Sequence, residues 1–430
     1  MNLWAESDNK ELASAPVGQT AKPGTARRSP TEQALLPALR AWLLAEYVAP
    51  YCRSLAATRI FRRCFWIDAV GGTRKAAQKD RAEILPPALQ AVATLAGDLA
   101  RESRPITLQG IALDNGKHVG TRFIASVASS PDAFVLPKES SVINAGWREA
   151  APSLLPAIEQ AAAIFLLNLC AVAKLSSSQG NEIPFLTGDD FAPLFQRSAP
   201  TELCLLLMHR QVETILLPAL RTTAGAAAFT ALLRSDRWKA LLALESEDTP
   251  AMARVDRAID LLQAALQPHF LFVQRIAFPM VIGPATVEDA PCALLFATRR
   301  QDSLVYMNDA VCGYRRRSEE ESRRGLLNET WFVAQQAARD TQALQQLRAD
   351  TLREGRARAP RRWPDLRQQL LVERFGQWML RDYDDVICHL LQAGEVRCEW
   401  RQPGGGATSD SQRVPGNEDI LLWQDKKRRY

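Results

Sequence analysis

Two short runs, Ala163-Ile-Phe-Leu-Leu-Asn168 and Glu202-Leu-Cys-Leu-Leu-Leu-Met-His209, are apolar almost throughout. A strand with one wet face alternates apolar and polar residues. These runs do not alternate, so each needs cover on both faces, as in a parallel sheet between helical layers. Further strand-like runs, Arg63 to Gly72, Ile106 to Asp114, Phe270 to Phe278 and Cys292 to Thr298, are separated by segments with helical spacing. Alternation of this kind predicts an α/β fold with a mostly parallel sheet. Helices are expected from the Ser29-Pro30-Thr31-Glu32 start to Tyr51, over Pro86 to Arg101, Leu154 to Ala162 and Phe191 to Gln196, and as one long stretch from Val212 to Gln267. Residues 1–30, small and polar with Pro and Gly interspersed, read as a disordered tail.

Composition narrows the class. Of the 430 residues, 47% are hydrophobic and 23% charged, and mean hydropathy is −0.17. These values exclude a wholly disordered chain. No apolar run approaches the ~20 residues of a spanning helix, so no membrane association is expected. Glu6, Asp8 and Glu11 stand where a basic leader would precede an apolar one, so the expected address is the cytoplasm. The eight cysteines are scattered singly and several lie in apolar runs, which suits reduced core thiols. The four histidines are far apart and form no local zinc motif. The net charge of +5 is concentrated late: residues 315–430 carry 22 basic and 18 acidic groups. So mild an excess permits nucleic-acid contact without requiring it.

An open α/β sheet binds ligands at the carboxyl ends of its strands. The first strand ends in Asp68-Ala69-Val70-Gly71-Gly72-Thr73, where two glycines allow close backbone approach. The second ends in Asp114, an acid suited to a ribose hydroxyl pair; Asp114-Asn115-Gly116 also reads as a plain turn. Asp189 and Asp190 read as a helix N-cap pair before Phe191.

Seven segments in order carry a resemblance. They are the N-terminal helix, Phe65-Trp-Ile-Asp68-Ala-Val-Gly71-Gly72, Ile84-Leu-Pro-Pro-Ala-Leu89, the strand ending in Asp114, Ile164-Phe-Leu-Leu-Asn168-Leu-Cys170, Thr201-Glu-Leu-Cys-Leu-Leu-Leu207, and Leu295-Phe-Ala-Thr-Arg-Arg300 with Met307. Over about residues 33–315 the chain resembles the three-Cys-motif partner proteins, a divergent group related to class I S-adenosylmethionine-dependent methyltransferases. The resemblance implies a Rossmann-like methyltransferase-type sheet with helical insertions, S-adenosylmethionine as cofactor, and a partner protein bearing three cysteines. It also implies roles. Asp68, Gly71 and Gly72 would hold the cofactor's amino-acid end, Asp114 its ribose, and Asn168 would position the methyl acceptor. The sequence departs from the family where Val70 and Thr73 flank the glycines and where Asn168-Leu169-Cys170-Ala171 lacks the usual proline and aromatic. Asn168 equally suits a hydrogen-bonded core residue.

The expected domains are the tail (1–30), the Rossmann-like domain (31–315), a helical linker (316–359) and a C-terminal domain (360–430). In the last, helices at Trp363 to Leu371 and Arg381 to Leu391 precede two strands around a Gly/Ser-rich loop, the winged-helix pattern, a type in which members of the resembled family often end. Arg358, Arg361, Arg362 and Arg381 are the candidate nucleic-acid contacts, set against Asp382, Asp384 and Asp385 on the same helix as Arg381. Two functions are expected from these features: a methyltransferase-like protein working with a partner, or a non-catalytic scaffold with a vestigial cofactor loop that contacts protein or nucleic acid.

Overall fold

The computed structural model describes residues 30–70, 87–113, 124–125, 136, 139–169, 183, 185–243, 250–278, 281–282, 285–286, 292–323, 329–357, 362–401 and 413–423. The strands are β1 (Arg63–Asp68), β2 (Thr107–Leu113), β3 (Ile124–Ala125), β4 (Ser141–Ile143), β5 (Ala162–Asn168), β6 (Thr201–Met208), β7 (Phe272–Phe278), β8 (Val281–Ile282), β9 (Ala285–Thr286), β10 (Cys292–Thr298), β11 (Val396–Glu399) and β12 (Ile420–Trp423). The α-helices are α1 (Pro30–Trp42), α2 (Ala49–Thr58), α3 (Pro87–Arg101), α4 (Trp147–Ala157), α5 (Gly188–Gln196), α6 (His209–Arg221), α7 (Thr223–Leu233), α8 (Trp238–Ala243), α9 (Ala251–Leu266), α10 (Gln301–Arg323), α11 (Glu329–Ala357), α12 (Trp363–Glu373) and α13 (Leu380–Gln392).

Eight strands form one sheet in the order β3-β4-β2-β1-β5-β6-β10-β7. Every pair from β3 to β6 is parallel. Only β10 is reversed, antiparallel to both β6 and β7. With β4 counted as the third strand, the centre reads 3-2-1-4-5, the doubly wound, Rossmann-like order. Strand order reverses between β1 and β5, so the switch point lies there.

The uniform apolarity of the strands follows from their two covered faces. Phe65, Ile67, Phe165, Leu167, Leu203 and Leu205 point into a core with α4, α5, α6, α7 and α9. Cys64, Trp66, Ile164, Leu166, Cys204 and Leu206 point the other way, into a core with α1, α2, α3 and α10. Alternate residues thus feed opposite layers. A π-helical turn, Leu43–Val48, joins α1 to α2 and buries Leu43, Leu44, Tyr47 and Val48 in the second core. Gly110 lets α3 lie directly on β2: a Cβ there would stand 2.8 Å from Leu89 Cδ2.

Three expectations are revised. The helix expected from Leu154 to Ala162 runs instead from Trp147 to Ala157, and Ala162 opens β5. The stretch from Val212 to Gln267 is broken into α6, α7 and α9, with α8 between. The Thr222 hydroxyl accepts the Gly225 N–H (3.0 Å) to begin α7, Arg234 ends it in a left-handed conformation (φ 50°), and Pro250 precedes α9. The division at 315/316 falls inside α10, which runs unbroken to Arg323.

After α10, the helices α11, α12 and α13 and the antiparallel pair β11–β12 share a separate core built on Trp363, Leu366, Leu370, Tyr383, Ile387 and Leu390. A polar seam docks this module on α10. Buried Asn308 donates to Trp378 O (2.8 Å) and accepts from Gly376 N (2.8 Å), Arg315 donates to Gly376 O (2.7 Å), and Arg316 pairs with Asp382 (2.7 Å). Gly376 occupies the left-handed region (φ 73°), which a side chain would strain. Among the described residues no helix is long and apolar enough to cross a membrane.

Candidate functional site

The carboxyl ends of β1 and β5 meet at the switch point. Asp68, the last residue of β1, is opposite Leu166, and Asn168, two residues further along β5, is opposite Leu206 of β6. Both polar side chains are buried. Asp68 is fully enclosed: Arg40 Nε donates to Oδ2 (2.5 Å) and the Arg40 guanidinium donates again to Oδ1 (3.0 Å). Oδ1 also accepts the Val70 N–H at 3.1 Å, and Ala69 N–H donates to Leu166 O at 2.9 Å. A bidentate Arg–carboxylate pair is both strong and directional. Asp68 therefore ties α1 to the turn that leaves β1, and its oxygens face inward. Gly71, Gly72 and Asp114 lie outside the described residues; Asp114 follows Leu113, the last residue of β2.

The chain returning after β5 is held by a residue that sequence patterns did not mark. Arg148, on α4, donates to both oxygens of Asp190 (2.7 Å each), to Ile183 O (2.9 Å) and to Phe185 O (2.7 Å). Thr187, rather than the expected Asp189 and Asp190, is the N-cap of α5; Asp190 sits in the first turn and accepts from Thr187 N at 2.6 Å, closing a capping box. Although burial opposes it, the bonds from Arg148 and Thr187 hold the Asp190 carboxyl below its ordinary range. Asp189, its neighbour, pairs outward with Arg234 at 2.5 Å.

No family model matches the chain, and no curated protein or solved structure is significantly similar to it.

A second polar cluster lies at the opposite, amino end of the parallel strands. Glu202 is fully buried in β6; Tyr47 OH donates to Oε2 (3.2 Å) and Ser303 Oγ to Oε1 (3.1 Å), and Thr298 bonds to it as well. Burial pushes its carboxyl up to about 7, against these hydrogen bonds and the nearby Arg300. Arg300 is itself bound to Asp302, which also accepts from Ser54. The only sequence signal was one acid inside an otherwise apolar strand.

Of the proposed nucleic-acid contacts, Arg358 and Arg361 lie outside the described residues. Arg362 is exposed at the start of α12. Arg381 is exposed on α13, 3.8 Å from Asp382. The acids of α13 are partly occupied within the fold: Asp382 by Arg316, and Asp384 by Arg367 (2.6 Å) and Trp363 Nε1 (2.9 Å). Of the seven described cysteines, five are buried.

Proposed function

We propose that this chain is a methyltransferase-like protein of the three-Cys-motif partner kind. In this reading it binds S-adenosylmethionine at the carboxyl edge between β1 and β5 and acts with a partner protein that bears three cysteines. The observation that carries the reading is the strand order: a doubly wound centre with its switch point between two strands that end in Asp68 and Asn168. A carboxylate that accepts from both hydroxyls of a vicinal diol would suit a nucleoside, and an acid, Asp114, follows β2 in the sequence.

Bound S-adenosylmethionine would supply a methyl group already activated for transfer. The chain's own part is alignment and exclusion of water. Arg40 and Asp68 hold the turn out of β1. Arg148 fixes the segment returning from β5. Asn168 would orient an acceptor amine through its amide oxygen. Asp68 acts here through the backbone it fixes, which accounts for its complete enclosure. Calorimetric titration of the full chain with S-adenosylmethionine and S-adenosylhomocysteine, alone and with the partner protein, tests the reading. Micromolar binding that is lost in Asp114→Ala is expected. Absence of binding in both settings, or an affinity unchanged in Asp114→Ala, overturns it.

A second reading, a non-catalytic scaffold, is favoured by the inward-facing Asp68 and by the C-terminal module. Three helices followed by β11–β12, joined through the Gly/Ser-rich residues 402–412, fit the winged-helix arrangement. Internal pairing of Asp382 and Asp384 leaves exposed Arg381 less opposed than the sequence suggests.

A further inference from the structure

A cavity of about 490 Å³ opens beside the sheet, between α5, α7, α8 and α9. This volume lies within the ~300–1,000 Å³ of small-molecule sites. Its floor is buried and apolar: Phe191, Leu205, Leu233, Trp238, Leu262 and Leu266. Its polar lining is confined to more exposed residues, chiefly Arg234, Arg237 and His269. The rim is built rather than incidental. Arg234 adopts a left-handed backbone (φ 50°), which is uncommon for a residue with a side chain. Its side chain crosses Gly188 so closely that a Cβ there would stand 2.5 Å from Arg234 Cγ, and its guanidinium is anchored on Asp189. The His269 ring stacks flat on Phe195, centroids 3.9 Å apart and planes 4° apart. Burial and the cations Arg234 and Arg299 hold His269 below its ordinary pKa, which favours the neutral imidazole, a form that keeps one N–H to donate. The Arg237 guanidinium has no carboxylate partner among the described residues.

We propose that this cavity binds an amphipathic carboxylate, an acyl or aromatic acid, with its apolar body on the leucine, phenylalanine and tryptophan floor and its carboxylate at Arg237 and His269. Charge complementarity selects this class: an apolar floor alone would accept any hydrocarbon, whereas Arg237 and a histidine N–H at the mouth favour an anionic head, the charge of Arg234 being met by Asp189.

The test is calorimetric titration of the full chain with decanoate and, as the neutral control, decanol. Decanoate is expected to bind in the micromolar range, at least five-fold tighter than decanol. Arg237→Ala, at an exposed position, should weaken decanoate at least five-fold and leave decanol unchanged; Arg237→Lys should restore part of the loss. Ala265→Trp, filling the cavity from α9, should abolish both; its melting curve reports whether it folds, and if it does not, the Arg237 pair decides. No decanoate binding up to millimolar concentration, equal binding of the alcohol, or indifference to Arg237→Ala would overturn the assignment.

Discussion

Substitution of Glu202 by Gln should change how stability varies with pH. The carboxyl is fully buried in β6 and its folded pKa stands near 7, against an ordinary value of 4.5. A carboxyl raised on folding binds its proton more tightly in the folded state. It adds stability that is complete below about pH 4.5 and lost as pH rises through 7. At about 1.36 kcal/mol per unit, the whole loss is about 3 kcal/mol, of which about 2.5 kcal/mol falls between pH 5 and pH 8. Glutamine retains an acceptor oxygen and adds an amide donor for Tyr47, Ser303 and Thr298, but it carries no charge to bury. Urea unfolding of both proteins at pH 5, 6, 7 and 8, at constant ionic strength, gives the difference directly. Glu202→Gln should gain about 2.5 kcal/mol on wild type across that range. A difference constant to within about 0.5 kcal/mol would refute the reasoning, because it would mean that Glu202 titrates alike in the folded and unfolded chain.

Three further perturbations follow from the packing. Arg40→Leu strands the enclosed Asp68 carboxylate and should cost about 3–5 kcal/mol in urea unfolding, much of it recovered in the Arg40→Leu/Asp68→Asn double variant; additive losses would deny the pairing. Gly110→Val forces atoms into Leu89 and Val92 and should cost about 1–3 kcal/mol, with an unchanged melting temperature as the contrary result. Neutralising Arg358, Arg361 and Arg362 should weaken any DNA binding and flatten its dependence on salt by ~0.9 in log–log slope for each phosphate no longer neutralised; an unaltered slope would remove that segment from the interface.

Much of the sheet is legible in the sequence because each central strand is a short apolar run bounded by polar residues. β5, β6, β7 and β10 begin and end within about two residues of the runs that announce them. The three-residue β4 and two-residue β3 carry too little pattern to be seen. The helical stretch after β6 misleads because alanine and leucine are frequent enough to hide three weak breaks, at Thr222, Arg234 and Pro250. The run Arg315-Arg316-Arg317 reads as a boundary, yet the three arginines face different partners: Gly376 O, Asp382 and Glu46. Their charge is used where α10 meets other helices, and the helix continues through them. At the candidate site, strand-end residues were visible one at a time, but their environments were not. Asp68 looked like a ligand contact until Arg40, 28 residues earlier, closed over it. Arg148 escaped notice because its partners lie on a segment 35 to 42 residues away. Such pairings depend on how layers stack, and no spacing rule encodes them.

The reversed strand also sets an order of assembly. β10 is wedged between β6 and β7, yet it is the last strand of the sheet to be synthesised. Until it exists, β7 has no neighbour in the sheet, and the hydrogen-bonding edge of β6, among the most apolar segments in the chain, stays open. At about 5–20 residues per second, the residues from Met208 to Cys292 keep that edge unpaired for several seconds of translation. Such an edge invites pairing with other chains. The newborn protein is thus exposed to such pairing in that interval, which ends when β10 pairs with β6 and β7.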